Sequence, residues 1–379
     1  MAFELKNKII YILSPNHWGD MHISKHHYAK ALAQKGNTVF FISPPSLKSS
    51  FFEKKEVEPH LFVINYSPIF RGKSVLPTFI FNVLIKLQIW FLTFKIGVKP
   101  DILWSFTSTL YFNLTWFKAP LTIFHPMDQL NTNDAKKIPN TSDIIFTCSA
   151  FILNEMNESK TPKHFISHGV SPYFTEHHFP EIISNKTIQV GYVGNLFMKN
   201  IDRKILKQVI ESNQDCHFHF FGASEPNKSN ISAWVRDESL EFIEFLKSSK
   251  NVTCYGAIPS NQIPQKIEHI SIFLLCYEPD EENIISNSHK ILEYLSTGKT
   301  IVSSYIQEYK NSDLMVMCEE KSNKNFLSYF VKVKTNLIVY NSIENQQQRK
   351  LIANRNSYTA KIKEIENYID HLPENTHSN

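Results

Sequence analysis

At 379 residues the chain is longer than one ordinary core organises, so two domains are expected. It is 42% hydrophobic and 20% charged, with no low-complexity tract, which excludes a disordered or fibrous chain. The formal net charge is +4, but residues 1–180 carry 18 Lys+Arg against 12 Asp+Glu while 181–379 carry 22 against 24. A basic first half suits an anionic membrane or substrate, or is ordinary variation in surface charge; nothing points to nucleic acid. Cys148, Cys216, Cys254, Cys276 and Cys318 are widely spaced without a CxxC, and three lie in apolar runs. They are expected to be reduced thiols of a cytoplasmic protein, neither disulfides nor a zinc site.

The first apolar run, Lys8 to Leu13, reads as a strand, too short for a signal peptide or a membrane span. A loop from Ser14 to Asp20 and a helix from His22 to Gln34 follow, ended by Gly36 and Asn37. Thr38 to Ile42 is the next strand, completing a βαβ unit of a parallel sheet. The loop lacks G-x-G-x-x-G, so a dinucleotide fingerprint is excluded. His22 and His26 have HxxxH spacing but neither the intervening Glu nor a third ligand, so no metal site is assigned.

Residues 75–97 are the most apolar stretch, with Phe79, Phe81, Ile85, Trp90, Phe91 and Phe94. Lys86 and Lys95 argue against a span, because a charge at the bilayer centre costs about 2.5–3.5 kcal/mol even on insertion scales. The helix is then either a buried crossover or an interfacial helix with its lysines reaching outward. Further strands are expected at Asp101–Ser105, at Leu121–Phe124 leading into His125-Pro126-Met127-Asp128, at Asp143–Thr147, and at Phe165-Ile166.

The pattern then starts again. Strands are expected at Ile188–Val193, Cys216–Phe221, Val252–Tyr255, Ile272–Leu275 and Ile301–Ser303, with Gly194, Gly222 and Gly256 closing the first three. The predicted organisation is a first Rossmann-like domain over 1–171, a linker over 172–187 and a second Rossmann-like domain over 188–342. One long helix over 343–370 returns to the first domain, and a disordered tail covers 371–379. Two α/β sheets of similar size predict a ligand cleft between them.

Within the second domain, Ile291, Leu292 and Leu295 fall at helical spacing, Gly298 stops the helix, and Thr300, Ile301 and Val302 begin a strand. Small polar residues before the helix and Lys290 in its first turn suit an anion. Glu293, one turn in, would repel a phosphate but suits a pair of sugar hydroxyls.

In the order of its motifs the chain resembles the GT-B glycosyltransferases, specifically the family-4-like group that builds bacterial surface polysaccharides. The motifs are Val190 to Leu196 with Lys199 and Asp202, Val252 to Gly256 followed by Ile263-Pro264, and Lys290 to Lys299. His168-Gly169-Val170 with Phe174 matches the segment that closes the first domain in that group. The resemblance spans nearly the whole chain and implies sugar transfer from a nucleotide-sugar to a hydroxyl of a lipid-linked or saccharide acceptor. It implies no cofactor and no metal. By position, Gly194 and Asn195 approach the diphosphate, Lys199 neutralises it, Lys290 either helps or braces the neighbouring loop, and Glu293 holds the ribose. The acid that many retaining members carry eight positions before the ribose-binding residue is Ile285 here, so retention or inversion stays open and Asn287 is the candidate contact to the donor sugar. In the first domain the resemblance turns His125 and Asp128 to the cleft. Asp128 is the base if configuration inverts, His125 a sugar contact if it is retained, and Asp128 as a turn cap is the bland alternative. Asp20 is a second base candidate, and Trp18 and Gly19 line the cleft unless Trp18 packs in the core. An epimerase or hydrolase on the same fold, or a degenerate transferase-like binding protein, are the alternatives to transfer.

Overall fold

The structure is a computed structural model that describes residues 3–19, 22–70, 76–130, 132–133, 135–181, 187–225, 236–280 and 288–372. In chain order its elements begin β1 (Ile9–Leu13), α1 (Ser24–Gln34), β2 (Thr38–Ile42), β3 (Phe52–Glu58), β4 (Leu61–Tyr66), α2 (Thr78–Ile96), β5 (Ile102–Ser105), β6 (Leu121–Phe124), β7 (Ile144–Thr147), α3 (Ala150–Glu155) and β8 (Lys163–Phe165). They continue α4 (Pro172–Thr175), β9 (Ile188–Val193), α5 (Arg203–Glu211), β10 (Cys216–Phe221), α6 (Asp237–Ser248), β11 (Val252–Gly256), α7 (Ile263–Lys266) and β12 (Ile272–Leu275). The last are α8 (Lys290–Ser296), β13 (Thr300–Ser303), β14 (Val316–Met317), α9 (Phe326–Thr335), α10 (Leu337–Tyr340), α11 (Ile343–Arg355) and α12 (Tyr358–Asp370).

The first unit runs to Ser167 and resumes at Tyr358. Its eight-stranded sheet has the order β3-β4-β2-β1-β5-β6-β7-β8. All pairs are parallel except β3 with β4, an antiparallel hairpin at the edge that the sequence reading did not anticipate. Side chains alternate along the central strand: Ile10 and Ile12 pack on α1 and α12, whereas Tyr11 and Leu13 pack on α2. This two-sided burial is why the strand is apolar throughout.

The expected single terminal helix is two helices. Residues 356–357 interrupt it, and the Asn356 carbonyl accepts Val170 N–H at 2.8 Å. α11 belongs to the second unit and α12 to the first. α12 is built into the first core through Tyr358, Ile362, Ile365 and Ile369. Its Glu366 accepts the Leu5 N–H and pairs with Lys35.

α2 settles the choice between a buried and an exposed helix by being both. Phe81, Ile85, Ile89, Leu92 and Ile96 enter the core, while Phe79, Val83, Leu87, Trp90 and Phe94 are exposed. It is long and apolar enough to cross a membrane by length and composition, but the face in the core holds it to the sheet.

The second unit, His168–Ser357, has a six-stranded, wholly parallel sheet of order β11-β10-β9-β12-β13-β14. α5, α6 and α9 cover one face; α4, α8 and α11 cover the other. The predicted linker is not a loose tether. Phe174 and Phe179 are buried in the second core, because aromatic residues spaced along it have an apolar surface to occupy. Lys299 explains how this segment is anchored: its ammonium, 2% exposed as a residue, donates to the Pro180 and Glu181 carbonyls and to Gln346 Oε1. Arg349 of α11 closes the same junction by donating to Gly298 O and Thr300 Oγ1.

Candidate functional site

In a doubly wound sheet, ligands bind at the carboxyl ends of strands where the strand order reverses. In the second unit that point lies between β9 and β12. Three glycines end neighbouring strands there. Gly194 N–H donates to Phe221 O at 2.7 Å, and Gly222 N–H to Gly256 O at 2.8 Å. A side chain on Gly222 would run into the Gly194 carbonyl, so the two turns fit only with hydrogen at that position.

A side chain on Gly194 would instead meet Lys290 Nζ. The ammonium lies 5.3 Å from the centre of the Tyr192 ring and is hydrogen-bonded by the Tyr277 hydroxyl. Burial works against its charge, but Tyr192, Tyr277 and Glu293 outweigh that and hold its pKa above the ordinary lysine value. α8 is held in place by Tyr294, whose hydroxyl oxygen accepts Val193 N–H at 2.7 Å. Glu293, half-buried on α8, is pushed up to about 8 by burial, with Lys290 opposing. The start of α8 therefore sets a strong cation beside a carboxyl that is largely protonated at neutral pH. His289 at the helix start is driven down to about 3 by burial, then by His168 and Lys290, and is neutral. Its ring meets His168 edge to face at 6.2 Å.

The loop after Gly194 is shaped by two motif residues, Asn195 and Asp202, and by Arg203, which the motifs did not single out. Asn195 Oδ1 accepts Phe197 N–H at 3.0 Å, and Arg203 donates to the carbonyls of Leu196, Met198 and Ile201. Asp202 caps α5 through Ile205 N–H and accepts Asn323 Nδ2 at 2.8 Å. Lys199 is exposed on this loop.

In the first unit the first turn of α1 carries Lys25, a residue only 4% exposed whose ammonium donates to Asn16 Oδ1 in the loop after β1. Burial pulls its pKa down to about 8 and Asp128 opposes the shift, so the two are electrostatic neighbours. Asp128 itself is exposed just beyond β6. This unit thus presents a carboxylate beside a weakly basic amine.

Solved structures share this fold along nearly their whole length. Sucrose-phosphate synthase from Thermosynechococcus elongatus superposes with a TM-score of 0.68 at 11% identity, over 96% of this chain and 99% of its own. Anabaena HepE in complex with UDP and glucose gives 0.67 at 12%, over 96% and 100%. The lipopolysaccharide outer core galactosyltransferase WaaB gives 0.61 at 15%, over 96% and 99%. The fold is GT-B. No family model matches the sequence, and no curated protein matches it significantly.

On the GT-B frame the expected site residues divide. Gly194, Lys290 and Glu293 lie together at the second unit's switch point, with Tyr192 and Tyr277 as companions. Asn195 spends its carbonyl oxygen on its own turn. Asp20, Ile285, Asn287 and the tail 373–379 lie outside the described residues. His125 does not open to a cleft. It is 0% exposed, its Nδ1 accepts Trp104 Nε1–H at 3.3 Å, and it stacks on Phe106 at 5.0 Å beside Tyr28 and Phe146. Aromatic residues distant in sequence close over it, which a local motif does not reveal. Trp18 is a packing residue, its ring 4.9 Å from Phe41 and 5.1 Å from His26. Around Gly19, by contrast, there is open space where a side chain would go. The HxxxH pair is also structural: His26 Nδ1 accepts Ile23 N–H and its other nitrogen bonds His17 O, leaving no lone pair for a metal. Lys25 and Arg203 were missed because a lone basic residue in a loop or first helical turn carries no local signature.

Proposed function

We propose that this protein is a glycosyltransferase that moves a sugar from a nucleotide-sugar to a hydroxyl of a lipid-linked or saccharide acceptor. The observation that carries the proposal is Lys290 Nζ seated against Gly194 at the switch point of the second sheet, with Glu293 one turn away. A backbone bare of side chain beside a strong cation suits a diphosphate, and a carboxyl at that remove suits a ribose hydroxyl pair. HepE, which has the same fold, was solved with UDP and glucose, in keeping with this reading.

In the proposed reaction the bond between the anomeric carbon and the diphosphate breaks, and charge builds on the leaving oxygen. Lys290, aided by Lys199 on the neighbouring loop, stabilises that charge more in the transition state than in the ground state, which lowers the barrier. Fixed protein cations in this position make the reaction metal-independent in this reading. The acceptor hydroxyl attacks the anomeric carbon and gives up its proton; where the attack inverts configuration, Asp128 is the candidate base.

The test is calorimetric titration with UDP, GDP and ADP in the presence of a chelator, followed by turnover of the sugar nucleotide that binds. Lys290→Ala should weaken the nucleoside diphosphate at least about tenfold, the loss expected for one charge-assisted contact. Asp128→Asn should leave nucleotide affinity intact and abolish transfer. Binding of none of the three nucleotides, or equal binding by Lys290→Ala, overturns the donor assignment.

A further inference from the structure

We infer that the exposed face of α2 is a docking surface for an anionic lipid bilayer. Phe79, Val83, Leu87, Trp90 and Phe94 recur at helical spacing and are 70%, 55%, 49%, 64% and 66% exposed. They form one continuous ribbon on the side of the helix opposite the residues in the core. Scattered exposed apolar side chains need no explanation, but a ribbon four turns long does. Phe51, 61% exposed, widens it by packing its ring 4.8 Å from Phe91. Trp90 and Phe94 stack on each other at 5.6 Å with their planes 11° apart, so the largest part of the surface is already ordered.

The charge around the ribbon selects the occupant. Between Glu58 and Asp101 the sequence has no acid, and Lys86, Lys95 and Lys99 lie on or just after α2. The two flanking acids are engaged inside the unit, Glu58 with Lys30 and Asp101 with the Ile9 N–H. Lys86 and Lys95 are exposed on α2 itself, with their ammonium groups 5.3 Å from the Trp116 ring and 5.9 Å from the Phe91 ring. Aromatic surfaces support the lysine stems while the charged heads reach the phosphate level of a headgroup layer. A second copy of the chain pressed on the same ribbon would bring like charges together, whereas an anionic bilayer neutralises them. The helix lies in the interface rather than crossing it, because its other face is committed to the core.

The experiment is sedimentation of the purified full chain with vesicles of phosphatidylcholine, with and without phosphatidylglycerol, at low and high salt. Association only with the phosphatidylglycerol vesicles, weakened by salt, is expected. Trp90→Glu with Phe94→Glu should lower partitioning at least about tenfold, and Lys86→Glu with Lys95→Glu should remove the preference for anionic lipid. All four positions are exposed, so the melting temperature should stay near that of the parent. Brominated lipid should quench tryptophan fluorescence in the parent and markedly less in Trp90→Phe. No association with anionic vesicles at low salt overturns the inference, as does equal association by the glutamate variants. A concentration-dependent dimer in light scattering that Trp90→Glu with Phe94→Glu abolishes also overturns it, in favour of a second copy. Nucleotide titration of the same samples reports separately on glycosyl transfer.

Discussion

Lys290 holds its ammonium in the space that a side chain on Gly194 would occupy. The glycine and the lysine are nearly a hundred residues apart in sequence, and each gives the other its meaning. Gly194 is bare so that a cation can stand over the backbone, and the cation is held there by Tyr192 and Tyr277.

Gly194→Ala and Gly222→Ala should therefore fail differently. At 194 the collision is with the far end of a flexible lysine, which can swing away. The protein should fold with a smaller loss of stability, set by the positive φ of 155° at that position, and with nucleoside diphosphate affinity reduced about tenfold, roughly 1.4 kcal/mol. At 222 the collision is with the Gly194 carbonyl, which cannot yield without distorting the turn. That variant should lose about 1–3 kcal/mol of stability. Urea melts and titration calorimetry on both separate the two outcomes.

Glu293 makes stability and binding depend on pH. Its folded-state pKa, raised to about 8, lies above the ordinary 4.5, so folding favours the protonated acid. That contribution is fully present below about pH 4.5 and is lost as pH rises through 8. Glu293→Gln mimics the protonated form, so the melting temperature of the variant should gain on the parent across this window. If ribose hydroxyls donate to the carboxylate, nucleotide binding near pH 7 should release a proton. Calorimetry in buffers of different ionisation enthalpy detects it, and Glu293→Gln should release less.

His219 predicts the opposite pH response. It is pushed down to about 3 by burial, then by His269 and His217, while Tyr255 Oη and Gln189 Oε1 meet its ring nitrogens at 2.9 Å and 2.6 Å. The folded pKa lies below the unfolded value of 6.5, so stability from this group is present above pH 6.5 and is lost as pH falls toward 3. His219→Gln should flatten the acid side of the stability curve. Urea melts at intervals between pH 7 and the acid transition measure the slope.

The terminal helix should be indispensable to the first unit. Ile365 is 0% exposed in its core, so Ile365→Ala should cost about 2–5 kcal/mol. Glu366→Ala should also destabilise, by removing the acceptor of the Leu5 N–H and the partner of Lys35. On the proposed function nucleotide affinity should be unchanged in both, since α12 packs in the first unit while Gly194, Lys290 and Glu293 lie in the second. Chemical denaturation with nucleotide titration checks each.

Much of this was legible locally. The alternation of apolar runs with helices gave two α/β sheets, because strands buried on both faces must be apolar throughout. Gly298 stops α8 in the left-handed region, with φ at 77°, as its place after the last apolar helix position implied. Lys290 and Glu293, expected one turn apart on one short helix, stand so on α8. The β3–β4 hairpin escaped because β3 is charged, with Glu53, Lys54, Lys55 and Glu56 on an exposed edge. Such a strand has no apolar alternation to read. The break after Arg355 escaped because Ile352, Tyr358, Ile362 and Ile365 keep a helical rhythm across it, although they serve two different cores.

What the sequence alone determined is the set of elements and the residues suited to carry charge, because both depend on neighbours within a few positions. Only the tertiary structure decided which of those residues are buried and which are brought together. It buried His125 among Trp104, Phe106 and Tyr28, left Asp128 exposed near Lys25, and set Lys290 over Gly194. It also left one face of α2 uncovered. Burial and the field at a charged group are set by contacts between segments far apart in the chain, and no local pattern encodes them.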